Sequence, residues 1–190
     1  MFDLSKKTHQ IFTLFFLALI WGSSFILMKK GLQSYSPVEI TLYRIFIVFL
    51  LFLPFGIKDI LKTSTKTKLT ILISAIIGSA IPYYLFIKAQ TKIDSSLNGV
   101  LNSMTPLFTL IFGLVIFKQT SNLRSFIGVI TGLIGAIGLI IVSNKELNIN
   151  NNIFYALLPL IGSACYALNL NIIKSFLKDI SAIKITSWSF

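Results

Sequence analysis

The sequence contains few of the residue types that build disulfides, metal sites and acid catalysts. Its 190 residues include one cysteine and one histidine, and only six are Asp or Glu. The lone Cys165 excludes an internal disulfide, and its position in an apolar run indicates a small packing residue. The lone His9 precedes the first apolar run, so no cluster has the spacing of a metal site. We therefore expect neither a metal nor another cofactor.

The acidic residues that are present avoid the middle of the apolar runs that dominate the chain. No Asp or Glu lies deep in any of these runs. Proton exchange at a carboxylate buried in lipid is therefore disfavoured. Hydrolytic catalysis would need a nucleophile beside a base, and the runs supply neither a base nor an acid. The sequence predicts that the protein is not an enzyme.

The overall composition lies far outside the range of a soluble domain. Hydrophobic residues make up 55% of the chain and charged residues 12%, and the mean hydropathy is +0.84. The formal charge of +11 comes from lysines in short loops, where anionic lipid headgroups explain it better than nucleic acid does. The sequence predicts a multi-pass protein of the inner or plasma membrane, with the lipid bilayer as a partner and no nucleic-acid partner.

Apolar runs of membrane-spanning length predict an all-α integral membrane protein, a multi-span helical bundle. A bilayer core of about 30 Å needs about 20 helical residues, and only helices or closed barrels satisfy their own backbone groups there. Six stretches have this length: Ile11–Met28, Val38–Phe55, Leu69–Ile87, Leu97–Phe117, Phe126–Val142 and Ile153–Ile173. A seventh stretch begins near Ala182.

The basic residues are distributed unequally between the two sides of the predicted bundle. Eleven of the seventeen Lys and Arg residues fall on the side of the N-terminus, five fall on the opposite side, and Arg44 lies within a span. Because cytoplasmic loops are enriched in Lys and Arg, this bias predicts a cytoplasmic N-terminus.

A faint internal repeat relates the two ends of the chain. A shift of 145 positions lays Lys174 on Lys29 and Ser181 on Ser36. Five predicted spans separate the starts of the two copies, so the second copy would cross the membrane in the opposite sense. Inverted repeats are a recurrent plan of secondary transporters, with the solute site between the halves.

Several motifs in order resemble the EamA-like family of the drug/metabolite transporter superfamily. They are Trp21-Gly22-Ser23-Ser24-Phe25 with Lys29, then Pro37 and Arg44, then Ser103-Met104-Thr105-Pro106-Leu107-Phe108, then Gly128 and Gly138, and finally Tyr166-Ala167-Leu168. The resemblance implies two inverted five-helix repeats. Residues 11–142 would form the first repeat, and residues 153–190 would form the start of a truncated second one. Gln119 stands where the family usually has a glutamate.

The resemblance implies a permease that moves a small metabolite or amino-acid-like solute by alternating access. The family needs ten helices, and this chain provides six and the start of a seventh. The alternative is therefore a truncated, non-transporting remnant, or a half-transporter that needs a partner chain to complete the inverted pair.

Arg44 is predicted about two turns into the second helix, where a charge needs a physical reason. Insertion scales place the cost of a charge at the bilayer centre at about 2.5 kcal/mol or more. One interpretation is a gate, or an anchor for a carboxylate or phosphate of the solute. The other is that Arg44 snorkels to the helix end, or pairs with Glu39 or a carbonyl to orient helices. The sequence leaves both open.

Polar residues on the predicted helices complete the candidate site. In the fourth span Asn98, Asn102, Thr105, Thr109 and Gly113 share one helical face, which should point into the bundle. Whether this face lines a solute path or bonds neighbouring helices stays open. The candidate substrate-binding residues are Trp21, Ser24, Arg44, Tyr83, Tyr84, Asn98, Asn102, Thr105 and Asn169.

Overall fold

A computed structural model describes residues 6–60, 63–143 and 153–190, which contain helices and no strand. The predicted all-α fold is therefore confirmed for the described part of the chain. In order, its helices are α1 (Lys7–Gly31), α2 (Pro37–Ile60), α3 (Thr65–Ala75), a π-helical turn (Ile76–Ala80), α4 (Ile81–Ala89), α5 (Ser95–Asn102), α6 (Thr105–Val115), α7 (Leu123–Ser143), α8 (Ile153–Phe176) and α9 (Ala182–Ser189).

Five segments of the described chain are long and apolar enough to cross a membrane, which confirms the multi-span architecture. They coincide with five of the six predicted stretches and are Lys7–Gly31, Pro37–Phe55, Thr65–Ala89, Ser95–Val115 and Phe154–Phe176. The remaining stretch, Phe126–Val142, lies within α7, where Leu123–Gly135 forms a shorter apolar segment. The helix expected from Ala182 is α9.

The third and fourth spans are both interrupted near their middle. The π-helical turn separates α3 from α4, and two residues separate α5 from α6. Each interruption is followed by a proline in the first turn of the next helix, Pro82 in α4 and Pro106 in α6. Proline has no N–H for the carbonyl four residues earlier, so the regular helix opens there. Each of these two spans therefore consists of two helical segments that meet near its middle.

The helix α8 packs against both interrupted spans and is the central helix of the described bundle. Near its start, Leu158 clusters with Ala89, the last residue of the third span, and with Ile93, which follows that span. Just beyond its end, Leu177 clusters with Ile71, near the start of that span. The direction of α8 is therefore antiparallel to that of the third span.

The glycine spacing in α7 predicts a close helix contact that the structure does not form at the described positions. Gly128, Gly132 and Ala136 recur at four-residue spacing, which is typical of packed membrane helices, and the side chain of Ala136 lies outside the described part of the chain. A Cβ added at either position would meet nothing within 4 Å. The less exposed face of α7 contains Val129, Ile130 and Leu133. The prediction is wrong for these two glycines because α7 turns another side toward α5 and α6.

Two neighbouring lysines at the end of α1 differ in their contacts, and this difference gives a test of the fold. The Nζ atom of Lys29 donates hydrogen bonds of 2.7 Å to the Gln90 carbonyl and 3.1 Å to the Ile93 carbonyl, at the negative end of α4. Lys30 is exposed. We expect Lys29→Met to lower the free energy of unfolding by roughly 1 to 2 kcal/mol, since both carbonyls lose a charged donor.

The matched control for this prediction is Lys30→Met, which removes the same charge from the adjacent residue without disturbing α4. Unfolding of the purified protein in detergent, followed by circular dichroism, measures both variants. Equal losses for the two lysines would contradict the assigned role of Lys29.

Candidate functional site

A cavity of about 1360 Å³ lies among the helices, with walls from α1, α2 and α4 to α8. Ligand pockets commonly measure about 300 to 1,000 Å³, so a small metabolite and water fit inside together. Its described lining residues include Arg44 and Lys174 but no Asp or Glu. The charged groups on the described wall are therefore cationic.

Aromatic side chains form one part of the cavity wall. The Phe86 ring stacks on Tyr166 with centroids 5.7 Å apart, and Phe25 meets Phe86 edge-on at 6.0 Å. Trp21 also lines the cavity, although 63% of its surface is exposed. One turn further along α1, Ser24 lies on the wall and donates a 2.8 Å hydrogen bond to the Trp21 carbonyl. This wall can take an apolar part of a ligand.

Arg44 points into the cavity. Its guanidinium carbon lies 4.2 Å from the centroid of the Tyr83 ring, and its Nη1 donates a 2.8 Å hydrogen bond to the Met28 sulfur. Glu39, the acid that might have paired with it, accepts a 2.7 Å hydrogen bond from the Ser36 amide instead. The pairing of Arg44 with Glu39, one of the alternatives left open by the sequence, is therefore not formed in the structure.

The predicted polar face of the fourth span is only partly on the cavity. Asn102 and Thr105 line the wall, and the Thr105 hydroxyl donates a 2.8 Å hydrogen bond to the Asn102 carbonyl. Asn98 is fully buried elsewhere and donates a 2.9 Å hydrogen bond to the Phe86 carbonyl. Asn98 lies one turn before Asn102 on α5, and its amide bonds the neighbouring helix α4 instead of lining the cavity. For Asn98 the structure therefore shows the second alternative left open for this face, a bond between helices.

The adjacent tyrosines of α4 also separate. Tyr83 lies on the cavity wall under Arg44, whereas Tyr84 is outside the lining and 37% exposed. Successive residues of an α-helix point about 100° apart, and Tyr84 points away from the cavity that Tyr83 lines. The inclusion of Tyr84 among the cavity residues is therefore corrected.

Asn169 of α8 lies on the wall and also joins α8 to the third span. Its Oδ1 accepts a 2.5 Å hydrogen bond from the Ser74 hydroxyl. A Cβ at Gly78 would collide with its side-chain amide, so the close approach of the two helices needs glycine there. In the sequence, Ser74, Gly78 and Pro82 recur at four-residue spacing, which predicts a packed helix face. At Gly78 the contact with Asn169 confirms this prediction.

A polar network at the end of the fourth span was missed by sequence reasoning. Gln119 Nε2 donates a 3.1 Å hydrogen bond to Asn171 Oδ1, and Lys174 Nζ donates one of 2.7 Å to Gln119 Oε1. All three residues lie on the cavity lining. The one available signal was the spacing of Asn171 and Lys174, three residues apart on one helix face. Gln119 lies in a connection, where helical periodicity gives no orientation.

Apolar spans around a large cavity with polar, aromatic and cationic walls define a multi-span membrane protein with room for a ligand between its helices. The profile of the EamA-like transporter family matches residues 9–141, and the chain belongs to this family. The resemblance seen in the sequence is thus confirmed.

Relatives from distant organisms also carry transporter names. The chain is 29% identical over 159 residues to YedA, named an uncharacterized inner membrane transporter, of Escherichia coli K12, covering 81% of the chain and 49% of YedA. It is 26% identical over 169 residues to an uncharacterized transporter of Archaeoglobus fulgidus, and this match covers 86% of the chain and 56% of that transporter. It is 29% identical over 146 residues to the uncharacterized transporter YetK of Bacillus subtilis 168, and this match covers 73% of the chain and 44% of YetK.

The chain spans about half the length of these curated relatives. No solved structure matches it.

Proposed function

We propose that the chain carries a small polar metabolite or amino-acid-like solute across the cell membrane by alternating access. The observation that carries this proposal is the cavity between the apolar spans, which has room for a metabolite. Its wall includes the predicted residues Trp21, Ser24, Arg44, Tyr83, Asn102, Thr105 and Asn169, and we propose them as solute contacts.

An inverted repeat would give such a carrier its two alternating states, and helix directions support it. Lys29, near the end of α1, bonds carbonyls that follow α4, so α1 runs parallel to the third span. The helix α8 runs antiparallel to that span and hence opposite to α1. We keep residues 11–142 and 153–190 as the proposed limits of the two repeats.

Local chemistry supports the same repeat. Ser36 and Ser181, which the shift of 145 positions superimposes, both cap a helix through their hydroxyl. Ser36 Oγ accepts a 3.3 Å hydrogen bond from the Glu39 amide, and Ser181 Oγ accepts one of 3.4 Å from the Lys184 amide. A side-chain acceptor at this position satisfies an amide that the first helical turn leaves unpaired. With the N-terminus cytoplasmic, as the charge bias predicts, α8 would start outside and end inside.

A second candidate is a half-carrier that is completed by a partner. The chain matches YedA over 49% of the length of YedA. A partner half would supply the remaining wall of the cavity and the second inverted bundle.

Uptake by reconstituted vesicles tests the proposal and separates the two candidates. The purified chain is placed in liposomes, and entry of a mixture of ¹⁴C-labelled amino acids and small organic acids is measured. Uptake faster than in protein-free vesicles supports the carrier. Uptake only after a matching half is added supports the half-carrier. Background uptake in both cases overturns both and agrees with the non-transporting remnant.

A further inference from the structure

We propose that the cavity selects an organic anion, whose carboxylate Arg44 binds beside the Tyr83 ring and whose apolar part the aromatic wall contacts. This inference rests on the proposed solute-binding role of the cavity. It names the chemical class of the solute and the residue that recognises it.

The first argument is the unused hydrogen-bonding capacity of Arg44. A guanidinium has five N–H donors in a planar fork. In the described part of the chain, its one hydrogen-bond acceptor is the thioether sulfur of Met28, which accepts weakly. Arg44 is half-buried on the cavity wall, so donors without a protein partner can reach the cavity. A carboxylate is the acceptor that matches this fork in charge and geometry.

The second argument is the balance of charge around the cavity. No described lining residue is Asp or Glu, and the other cationic side chain, Lys174, already bonds to Gln119. An uncompensated charge in surroundings of low polarity is unfavourable, and a bound anion offsets it. A cationic solute would meet repulsion from Arg44 and no opposite charge.

The third argument is the arrangement of the aromatic rings next to Arg44. Tyr83 holds the guanidinium against its ring face, a contact that orients the fork. Phe86 follows Tyr83 by three residues on α4 and stacks on Tyr166. An anion held at Arg44 therefore places its hydrocarbon part along a wall one helical turn away.

Calorimetric titration of the purified chain in detergent tests this selection with two matched probes, 3-phenylpropanoate and its neutral amide. We expect the carboxylate to bind about tenfold to a hundredfold more tightly than the amide, the range of a charge-assisted hydrogen bond. Arg44→Gln should remove this preference while affinity for the amide stays the same. Arg44→Lys, which keeps the charge without the fork, should retain part of it.

The control is Lys178→Gln, which removes an exposed lysine outside the cavity lining and should leave the preference intact. Equal affinities for the two probes in the native chain, or no measurable binding of the carboxylate, would overturn the inference even if Arg44→Gln did not fold. An undiminished preference in Arg44→Gln would overturn it as well.

Vesicle uptake of the same probes distinguishes failure of this inference from failure of the proposed function. Arg44-dependent binding of the carboxylate without uptake would support the anion site and contradict the proposed carrier function. Uptake of the amide or of labelled amino acids without any preference for the carboxylate would support the proposed carrier function and contradict the anion site.

Discussion

Replacing Gly78 with alanine should lower the free energy of unfolding by about 1 to 3 kcal/mol, the usual range for overpacking a filled interior. The new methyl group would collide with the Asn169 amide, which must then move and give up its hydrogen bond from Ser74. The loss would be measured as a lower midpoint of thermal unfolding in detergent micelles.

Two further variants make this prediction specific to the contact between the third span and α8. Gly128→Ala adds the same methyl group inside α7 where nothing lies within 4 Å, and it should leave the midpoint unchanged or raise it slightly, because alanine favours a helix more than glycine does. The double variant Gly78→Ala/Asn169→Ala should be more stable than the sum of its single changes indicates, because it removes the Asn169 amide with which the new methyl group collides. An equal loss for Gly78→Ala and Gly128→Ala would show that the contact does not exist.

Replacing Ser24 with tryptophan should reduce solute uptake to the level of protein-free vesicles. Ser24 lies on the cavity wall in α1, and an indole there would occupy space that the solute needs. Initial uptake rates of the labelled mixture by reconstituted vesicles, corrected for the amount of inserted protein, measure the effect. The prediction depends on the proposed function.

The adjacent Ser23 provides the matched control for the steric effect of Ser24→Trp. Ser23 is exposed and outside the cavity lining, and its hydroxyl bonds the Ile20 carbonyl within its own helix. Ser23→Trp adds the same bulk toward lipid and should retain native uptake. If both variants lost uptake equally, or if Ser24→Trp retained it, the cavity would not be the solute path.

Much of the candidate site could be predicted because a helix in lipid hides its polar groups inside the bundle. Ser24, Arg44, Asn102, Thr105 and Asn169 all lie on the cavity for this reason. A shared helical face did not decide what each of its residues contacts. Asn98 shares a face of α5 with Asn102, yet its amide bonds the Phe86 carbonyl of α4 and does not line the cavity.

Other parts of the site depend on which helices become neighbours, and no single span contains that information. Gln119 joins the wall because α8 brings Asn171 and Lys174 to it, across more than fifty positions of the sequence. The glycines of α7 have the spacing of a packed face, yet α7 turns away from that packing. Whether a small residue packs against another helix therefore depends on which helix lies beside it.

The sequence by itself determined that the protein lies in lipid, where its helices run, and the family to which it belongs. Hydrocarbon thickness and the need to satisfy backbone hydrogen bonds fix these properties one segment at a time. The tertiary structure alone decided that Arg44 faces Tyr83 instead of Glu39, and that α8 forms part of the cavity wall. Those contacts join residues from different helices, so they exist only once the helices have packed.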